Sequence, residues 1–143
     1  MKKIALKHQE EKVTIQEVEQ FESDHVFKLP NSYKQFLAQN NGGVPKEKIF
    51  WDGEIESGVF YFYPLKYGDT NALEHIIPVL HDNEEKILPV TYFPFARTAG
   101  GSIYAFSMES KNYGEVYIFH YDDSEPFKMA NSFEEFINYL EEE

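Results

Sequence analysis

One segment, Leu29–Pro45, constrains the fold more than any other stretch of the chain. Pro30 suits the first turn of a helix, where its missing N–H leaves no hydrogen bond unmade. Tyr33, Phe36 and Leu37 recur at i, i+3 and i+4, so they form one narrow apolar stripe on that helix. Such a stripe must face a core, and we expect these three side chains to be buried.

The helix must also end abruptly. Asn40-Asn41-Gly42-Gly43 supplies residues that tolerate a positive φ, and Val44-Pro45 then continues in an extended conformation. The sequence therefore predicts a helix over about 30–40 that leads the chain into a β-rich region. Apart from Ser32 and Tyr33 the segment has no nucleophile, and it has no acid or histidine, so we expect its role to be structural.

Two capping boxes mark further helices. Thr14-Ile15-Gln16-Glu17 opens a helix over about 14–23, and Ser132-Phe133-Glu134-Glu135 opens another near the C-terminus. We expect Glu141–Glu143 to fray at the end of that last helix, because the macrodipole disfavours carboxylates there. Residues 1–12 are polar and charged, which fits either a frayed arm or an added strand.

Strand patterns begin after the double glycine. Ile49-Phe50-Trp51 predicts a strand ended by the turn Asp52-Gly53, and Val59–Tyr63 predicts a second strand. Ile87–Phe95 predicts a further strand at an edge or a bulge, because the two prolines inside it cannot donate to a ladder.

The second half of the chain predicts a helix and a hairpin. The apolar residues of 73–80 have helical spacing, and we expect that helix to end before Pro78 or to restart after it. Ser102–Met108 and Glu115–Tyr121 both alternate, which predicts an antiparallel hairpin.

The length and the order of elements favour a single α+β domain over residues 1–143, with its core at about 14–140. We expect a largely antiparallel sheet packed with two N-terminal helices, a middle helix and a C-terminal helix. The chain has no cysteine, no apolar stretch long enough for a signal peptide, and no run near the roughly 20 residues of a membrane helix. We therefore expect a cytoplasmic protein.

The net charge of the chain excludes some classes of binding partner. Lys and Arg total 13 against 25 Asp and Glu, for a formal net charge of −12, and Arg97 is the only arginine. Such a chain repels a phosphate backbone, so we expect no nucleic-acid partner, and we expect no membrane partner either. The acidity either keeps the protein in solution or complements a basic partner. Aromatic residues reach 17%, and Trp51 and some tyrosines fit surface anchors of an interface.

Catalytic motifs are missing. The sequence has no phosphate-binding glycine motif and no nucleophile elbow. His75 and His81 are six residues apart, which does not fit a metal pair on a helix or a strand. His120 and Asp122 share a strand face and can form an acid–base pair, but no nucleophile or third ligand accompanies them. We expect a protein that is not an enzyme and that holds no cofactor or metal.

Three acidic clusters are the candidate partner sites. They lack the ligand spacing of a calcium loop, and each taken singly is typical of a solvated turn. Their presence together beside Trp51 and tyrosine-rich strands favours an interface for at least one of them. The candidate partner-binding residues are Trp51, Asp52, Glu54, Glu56, Asp82, Glu84, Glu85, Asp122 and Asp123.

The ordered motifs resemble the Smi1/Knr4 family of the SUKH superfamily. Leu29–Leu37 followed by Asn41-Gly42-Gly43 is similar to its LP-x-x-Y-x-x-F-L…NGG signature. Pro94-Phe95-Ala96 followed by Gly100-Gly101 resembles its central block, and Gly114–Phe119 resembles its G-x-[IV]-Y strand. The terminal S-F-E-E-F helix is similar to the family's ending, so the resemblance covers about 14–140.

The resemblance implies an immunity-type protein that neutralises a cognate bacterial toxin, often a nuclease of a polymorphic toxin system, by stoichiometric binding. An acidic protein can be steered quickly onto a basic nuclease. The alternative is a regulatory or scaffold module, as in the fungal relatives. We expect a monomer or a weak homodimer. One departure is that Thr98-Ala99 and Ser102 flank the double glycine, where family members often carry Asp before it and Asn after it.

Overall fold

Four helices and ten short strands occur in the computed structural model, which describes residues 1–25, 27–82, 87–120 and 125–143. A single 3₁₀ turn covers Ser110–Asn112 within the same described residues. In chain order the elements are β1 (Leu6–Lys7), α1 (Ile15–His25), α2 (Asn31–Gln39), β2 (Val44–Pro45), β3 (Ile49–Trp51), β4 (Glu56–Gly58), β5 (Tyr61–Phe62), α3 (Leu73–Leu80), β6 (Tyr92–Arg97), β7 (Ile103–Ser107), β8 (Val116–Phe119), β9 (Phe127–Ala130), α4 (Phe133–Asn138) and β10 (Leu140–Glu141).

The largest sheet is an antiparallel meander in the order β5-β6-β7-β8-β9, and it contains the predicted β7–β8 hairpin. One face carries aromatic side chains into the main core. Tyr33 of α2 meets Phe106 of this sheet and Phe133 of α4, each with 5.1 Å between ring centroids. Tyr33, Phe36 and Leu37 are all buried, as their spacing predicts. The segment Leu29–Pro45 therefore contributes a helix that packs on the sheet.

The N-cap predictions are confirmed for α1 and in part for α4. The Thr14 hydroxyl accepts from the Glu17 N–H at 3.1 Å, and the Glu17 carboxylate accepts from the Thr14 N–H at 3.0 Å. Ser132 accepts from the Glu135 N–H at 3.0 Å, whereas the Glu135 carboxylate accepts from the Asn131 N–H at 3.3 Å. In the second capping box, the glutamate side chain therefore bonds to the N–H of the residue before the N-cap and not to that of the N-cap itself.

Helix α3 covers the second face of the five-stranded sheet. Leu80 packs there with Ile103, Ala105 and Phe119. The prediction that the helix breaks at Pro78 is wrong, because the helix runs unbroken from Leu73 to Leu80. A helix-interior proline costs about 3 kcal/mol. Burial of the apolar stripe Leu73, Ile77 and Leu80 offsets that cost.

The strand predicted at Ile87–Phe95 begins later, at Tyr92. Ile87 and Leu88 instead pack into the cluster beneath α3, and the Tyr92 N–H donates to the Pro89 carbonyl in a turn. Of the two predicted alternatives, the bulge is confirmed, because the register of β6 against β7 shifts between Pro94 and Ala96. The edge alternative does not apply, since β6 lies between β5 and β7.

A second sheet of three strands has the antiparallel order β10-β3-β4. Its inner face contributes Phe50, which stacks on Phe136 of α4 with 5.1 Å between ring centroids. The strand predicted at Val59–Tyr63 is shorter in the structure, and the residues just before it form a separate strand in the other sheet. Glu56–Gly58 pairs with β3, and Tyr61–Phe62 pairs with β6. This one extended stretch therefore joins the small sheet to the large one.

The prediction that Glu141–Glu143 frays from a helix end is wrong. Helix α4 stops at Asn138, and Leu140–Glu141 forms β10 against β3. Leu140 is fully buried opposite Phe50, and its burial favours the strand over a longer helix.

The side chain of Asn41, just after α2, joins three segments of the chain through hydrogen bonds. Its side-chain oxygen accepts from the Leu65 N–H at 2.7 Å, and its amide nitrogen donates to the Glu11 and Lys66 carbonyls at 2.7 and 2.9 Å. Gly42 follows with φ +76, and a Cβ there would lie 2.6 Å from the nitrogen of Pro64. Both residue types are therefore required by the geometry of this junction.

The N-terminal residues form an added strand, which is the second of the two alternatives that their polarity left open. Leu6 and Lys7 pair with Pro45 and Val44. The Lys2 N–H donates to the Asn138 side-chain oxygen at 2.7 Å. The N-terminal strand therefore lies against both the segment after α2 and the end of α4.

Candidate protein-binding face

The outer face of the three-stranded sheet carries the exposed tryptophan. Side chains alternate along β3, so Phe50 points into the core while Ile49 and Trp51 point outward. Trp51 is 42% exposed, and it lies directly opposite Glu56 on β4. A large aromatic ring on a sheet surface beside a carboxylate is a common kind of interface anchor. We refer to the outward residues of β3, β4 and β10 as the Trp51 face; they are Ile49, Trp51, Glu56, Gly58 and Glu141.

The turn between β3 and β4 is held by Asp52. Its carboxylate accepts from the backbone N–H groups of Ile55 at 2.7 Å and Glu54 at 2.9 Å. These hydrogen bonds, that to Ile55 foremost, hold the pKa of Asp52 below its ordinary value. Gly53 adopts φ +99 within the turn. Asp52 therefore fixes the hairpin, while the exposed Glu54 and Glu56 stay available at the surface.

Further carboxylates come from the C-terminal strand. Glu141 lies directly opposite Ile49, so it points outward with Trp51. Glu143 contacts Lys48 at 3.3 Å, and Glu142 contacts Lys46 at 3.4 Å. Both ion pairs are well exposed and therefore weak. The Trp51 face thus joins acidic residues from two distant parts of the sequence.

Next to these carboxylates is a shallow apolar groove of about 260 Å³. Its lining includes the apolar residues Ile49, Gly58, Phe60 and Ala99 together with Lys48 and Glu143. Phe60 is 44% exposed, and the Arg97 guanidinium lies over its ring at 5.2 Å from the centroid. Apolar and acidic surface are therefore adjacent on one face.

The other predicted partner residues are not brought to this hairpin. Asp82 is exposed and follows α3, a separate element that packs on the five-stranded sheet. Glu84, Glu85, Asp122 and Asp123 lie outside the described residues. The prediction that at least one of the three acidic clusters forms an interface therefore stays a prediction, and the cluster around Trp51 is the one that lies beside an exposed aromatic ring in the described residues.

Two of the histidines considered as acid–base or metal residues lie within hydrogen-bond distance of neighbouring oxygen atoms. His81 Nε2 lies 2.8 Å from the Tyr92 carbonyl oxygen, and burial lowers the pKa of His81. His120 Nδ1 lies 2.7 Å from the Ser102 hydroxyl, at an exposed surface. Its predicted companion Asp122 is outside the described residues. Over residues 1–25, 27–82, 87–120 and 125–143, no group of three potential ligands could hold a metal ion.

Sequence reasoning missed part of the face. Glu141 lies on a strand and not at the helix end that the sequence predicts, and no sequence pattern indicates that Gly58 and Phe60 line a groove. The cross-strand pair of Trp51 and Glu56 was open to inference, because the Asp52-Gly53 turn signal sits between them. The return of β10 had no such signal, because glutamates are poor strand formers.

The fold and this face define a class: a single α+β domain with an exposed aromatic and acidic sheet surface. Within the part of the chain that is described, no helix has the length and apolar character that crossing a membrane requires. The model of the SMI1 / KNR4 family (SUKH-1) matches residues 12–139. The chain therefore belongs to this family, and membership suggests an immunity-type protein.

One relative is a phage protein. The chain is 29% identical over 150 aligned residues to the SPbeta prophage-derived uncharacterized protein YokK of Bacillus subtilis (strain 168). The alignment covers 91% of this chain and 76% of that relative.

Proposed function

We propose that the protein is an immunity protein that binds one cognate, basic toxin domain, such as a nuclease, and blocks it without catalysis. The observation that carries this proposal is the Trp51 face, where an exposed indole lies opposite Glu56 on a rigid sheet. Family membership and the net charge of −12 support it. The complex would form in the cytoplasm, and the protein itself would bind neither nucleic acid nor membrane.

The physical reason is complementarity of charge and shape. A nuclease must be cationic where it grips phosphate, so an acidic protein is attracted to that surface and raises the rate of encounter. Once in contact, a tryptophan buried at the centre of an interface can contribute 2 kcal/mol or more. Charge would thus raise the association rate, and burial of Trp51 would lower the dissociation rate.

The experiment pairs the protein with the toxin domain encoded beside its gene. We expect co-expression in a bacterial host to protect growth, and we expect the purified pair to form a one-to-one complex by sedimentation. Absence of both protection and binding would overturn the proposal. A specific complex with a non-toxic neighbour would instead favour the regulatory or scaffold module.

A matched pair of variants locates the face. Glu54→Lys with Glu56→Lys changes the net charge by +4 on the Trp51 face and the turn beside it. Glu19→Lys with Asp24→Lys makes the same change on exposed positions of α1. We expect the first variant to slow association at least tenfold more than the second at low salt. Equal effects of the two variants would show that overall charge, and not this face, drives binding.

Salt gives an independent measurement. The Debye length falls from about 10 Å at 0.1 M to about 3 Å at 1 M ionic strength. We therefore expect the association rate to fall steeply with salt while the dissociation rate changes little. An association rate that does not change with salt concentration would exclude electrostatic steering and would leave the proposed immunity role unaffected.

A further inference from the structure

We propose that the Trp51 face recognises a two-residue pattern in its partner: a cationic side chain and an apolar side chain about 7 Å apart on one side of an extended segment. This inference rests on the proposed function, because it names the chemistry of the segment that docks on that face. It is argued from two adjacent cross-strand pairs of the small sheet.

The first pair, Trp51 and Glu56, fits a cation. The two residues are directly opposed, with the indole 42% exposed and the glutamate exposed. A guanidinium or ammonium group can lie on the indole face while it pairs with the carboxylate. Among the described residues, the lysines near this sheet pair with Glu142 and Glu143, and none pairs with Glu56. The chain therefore supplies an acceptor for a cation without supplying the cation.

The second pair, Ile49 and Gly58, fits an apolar side chain. Gly58 contributes no side chain, and a Cβ built on it would have no atom within 4 Å. The resulting groove of about 260 Å³ is open and lies below the range of roughly 300–1,000 Å³ that is typical of small-molecule sites. It suits one aliphatic or aromatic side chain from another protein.

The ion pairs around the groove set the orientation of the segment. Lys48 and Glu143 both line the groove and pair with each other at 3.3 Å, and the Arg97 guanidinium lies over the ring of Phe60. Among the described residues, no salt bridge joins Glu56 to a cation of this chain, so its carboxylate stays available for a cation of the partner. A partner cation therefore belongs beside Trp51, and the partner's apolar residue belongs over Gly58.

The spacing follows from the strand. Glu56 and Gly58 are two residues apart on β4, which separates the two subsites by about 7 Å. Side chains at i and i+2 of an extended segment have the same separation and point the same way. The recognised pattern is therefore a basic residue, any residue, and an apolar residue in an extended stretch of the partner.

Short acetylated peptides test the pattern on the full chain by ¹⁵N chemical-shift titration. The probe is Gly-Arg-Thr-Leu-Gly-amide, and three controls replace its Arg by Glu, replace its Leu by Ala, or delete the Thr. We expect shifts centred on the Gly58 amide and the Trp51 indole N–H. We expect affinity to fall about tenfold for the Leu-to-Ala control, as partial burial of one leucine predicts. Equal affinities for all four peptides, or shifts centred elsewhere, would overturn the pattern.

Variants at Gly58 supply the matched test in the protein. Gly58→Ala and Gly58→Val fill the groove to increasing extents, a Cβ at this position meets no atom within 4 Å, and Val favours a strand. We expect unchanged or higher thermal stability, with peptide binding weakened in the order Gly, Ala, Val. Unaltered binding by a folded Gly58→Val variant would refute the apolar subsite.

Failure of this inference is distinguishable from failure of the proposed function. If the wild-type chain binds its toxin and Gly58→Val binds it equally well, the pattern is wrong and the immunity role stands. If the peptides bind at Gly58 but the neighbouring toxin domain does not bind, the pattern stands and the role is wrong. If the wild-type chain alone dimerises and Gly58→Val is a monomer, the occupant is a second copy, and the partner assignment is overturned.

Discussion

Asn41→Asp is the substitution that best tests why the segment Leu29–Pro45 needs an asparagine at position 41. The change keeps the shape of the side chain and keeps the oxygen that accepts from the Leu65 N–H. It removes the two N–H donors that hold the Glu11 and Lys66 carbonyls at 2.7 and 2.9 Å. Asn41 is only 1% exposed, so water cannot replace these hydrogen bonds without opening the junction.

The expected magnitude follows from those two contacts. Each buried acceptor left without a donor costs about 1–3 kcal/mol. The second carboxylate oxygen would also face two carbonyl oxygens, so we expect a total loss near the middle of the combined range, about 4 kcal/mol in the free energy of unfolding. For a domain of this size, that loss corresponds to a fall in Tm of roughly 13 °C.

Urea unfolding followed by far-UV circular dichroism measures the loss. Asn40→Asp is the matched control, because it makes the same chemical change one residue earlier. Asn40 is half-buried, and its amide nitrogen is 3.5 Å from the Phe36 carbonyl oxygen, at the limit of a hydrogen bond. We expect the control to lose under about 1 kcal/mol with the same m-value. Equal destabilisation of the two variants would refute the three-segment role of Asn41.

Three further predictions concern local geometry. Gly42→Ala should lose at least about 1 kcal/mol more stability than Gly53→Ala in urea titrations, because both have positive φ but only Gly42 faces backbone atoms at 2.6 Å. Pro78→Ala should raise stability by about 1–2 kcal/mol, because the helix regains a backbone donor, and calorimetry measures it. Carboxyl-carbon NMR should give Glu17 a pKa of about 2, set mainly by its hydrogen bond from Lys66, and Lys66→Gln should raise that pKa. Because the folded pKa is depressed, Glu17 stabilises the fold above its ordinary value of 4.5 and loses that effect as the pH falls towards 2.

Local signals predicted the elements that depend on neighbouring residues. The Thr14 capping box, the helix on Tyr33 and the β7–β8 hairpin all formed where the sequence places them. In each case the residues that define the element lie within one turn or one hairpin. Such signals need no knowledge of the rest of the fold.

Elements defined by distant partners could not be predicted in this way. Leu140–Glu141 is a strand because Phe50, ninety residues earlier, offers it a partner and a core contact. The same limit applies to the candidate site. Trp51 and Glu56 are joined by a local turn and are both among the predicted partner residues, although the strand β4 that pairs them was not predicted. Glu141 and the groove beside Gly58 arise only when β10 and β5 take their places.

The pairing of β3 with β10 has a consequence for the order of folding. The β3–β4 hairpin closes over a short loop, but the third strand and the Lys2 contact to Asn138 join residues that are up to 136 positions apart. Contacts of such high sequence separation slow folding and form late. A chain whose synthesis has not yet reached residue 140 would hold an unfinished Trp51 face, so competence to bind a partner would arrive only once β10 pairs with β3. Pulse-labelled hydrogen exchange should show the β10 amides gaining protection last.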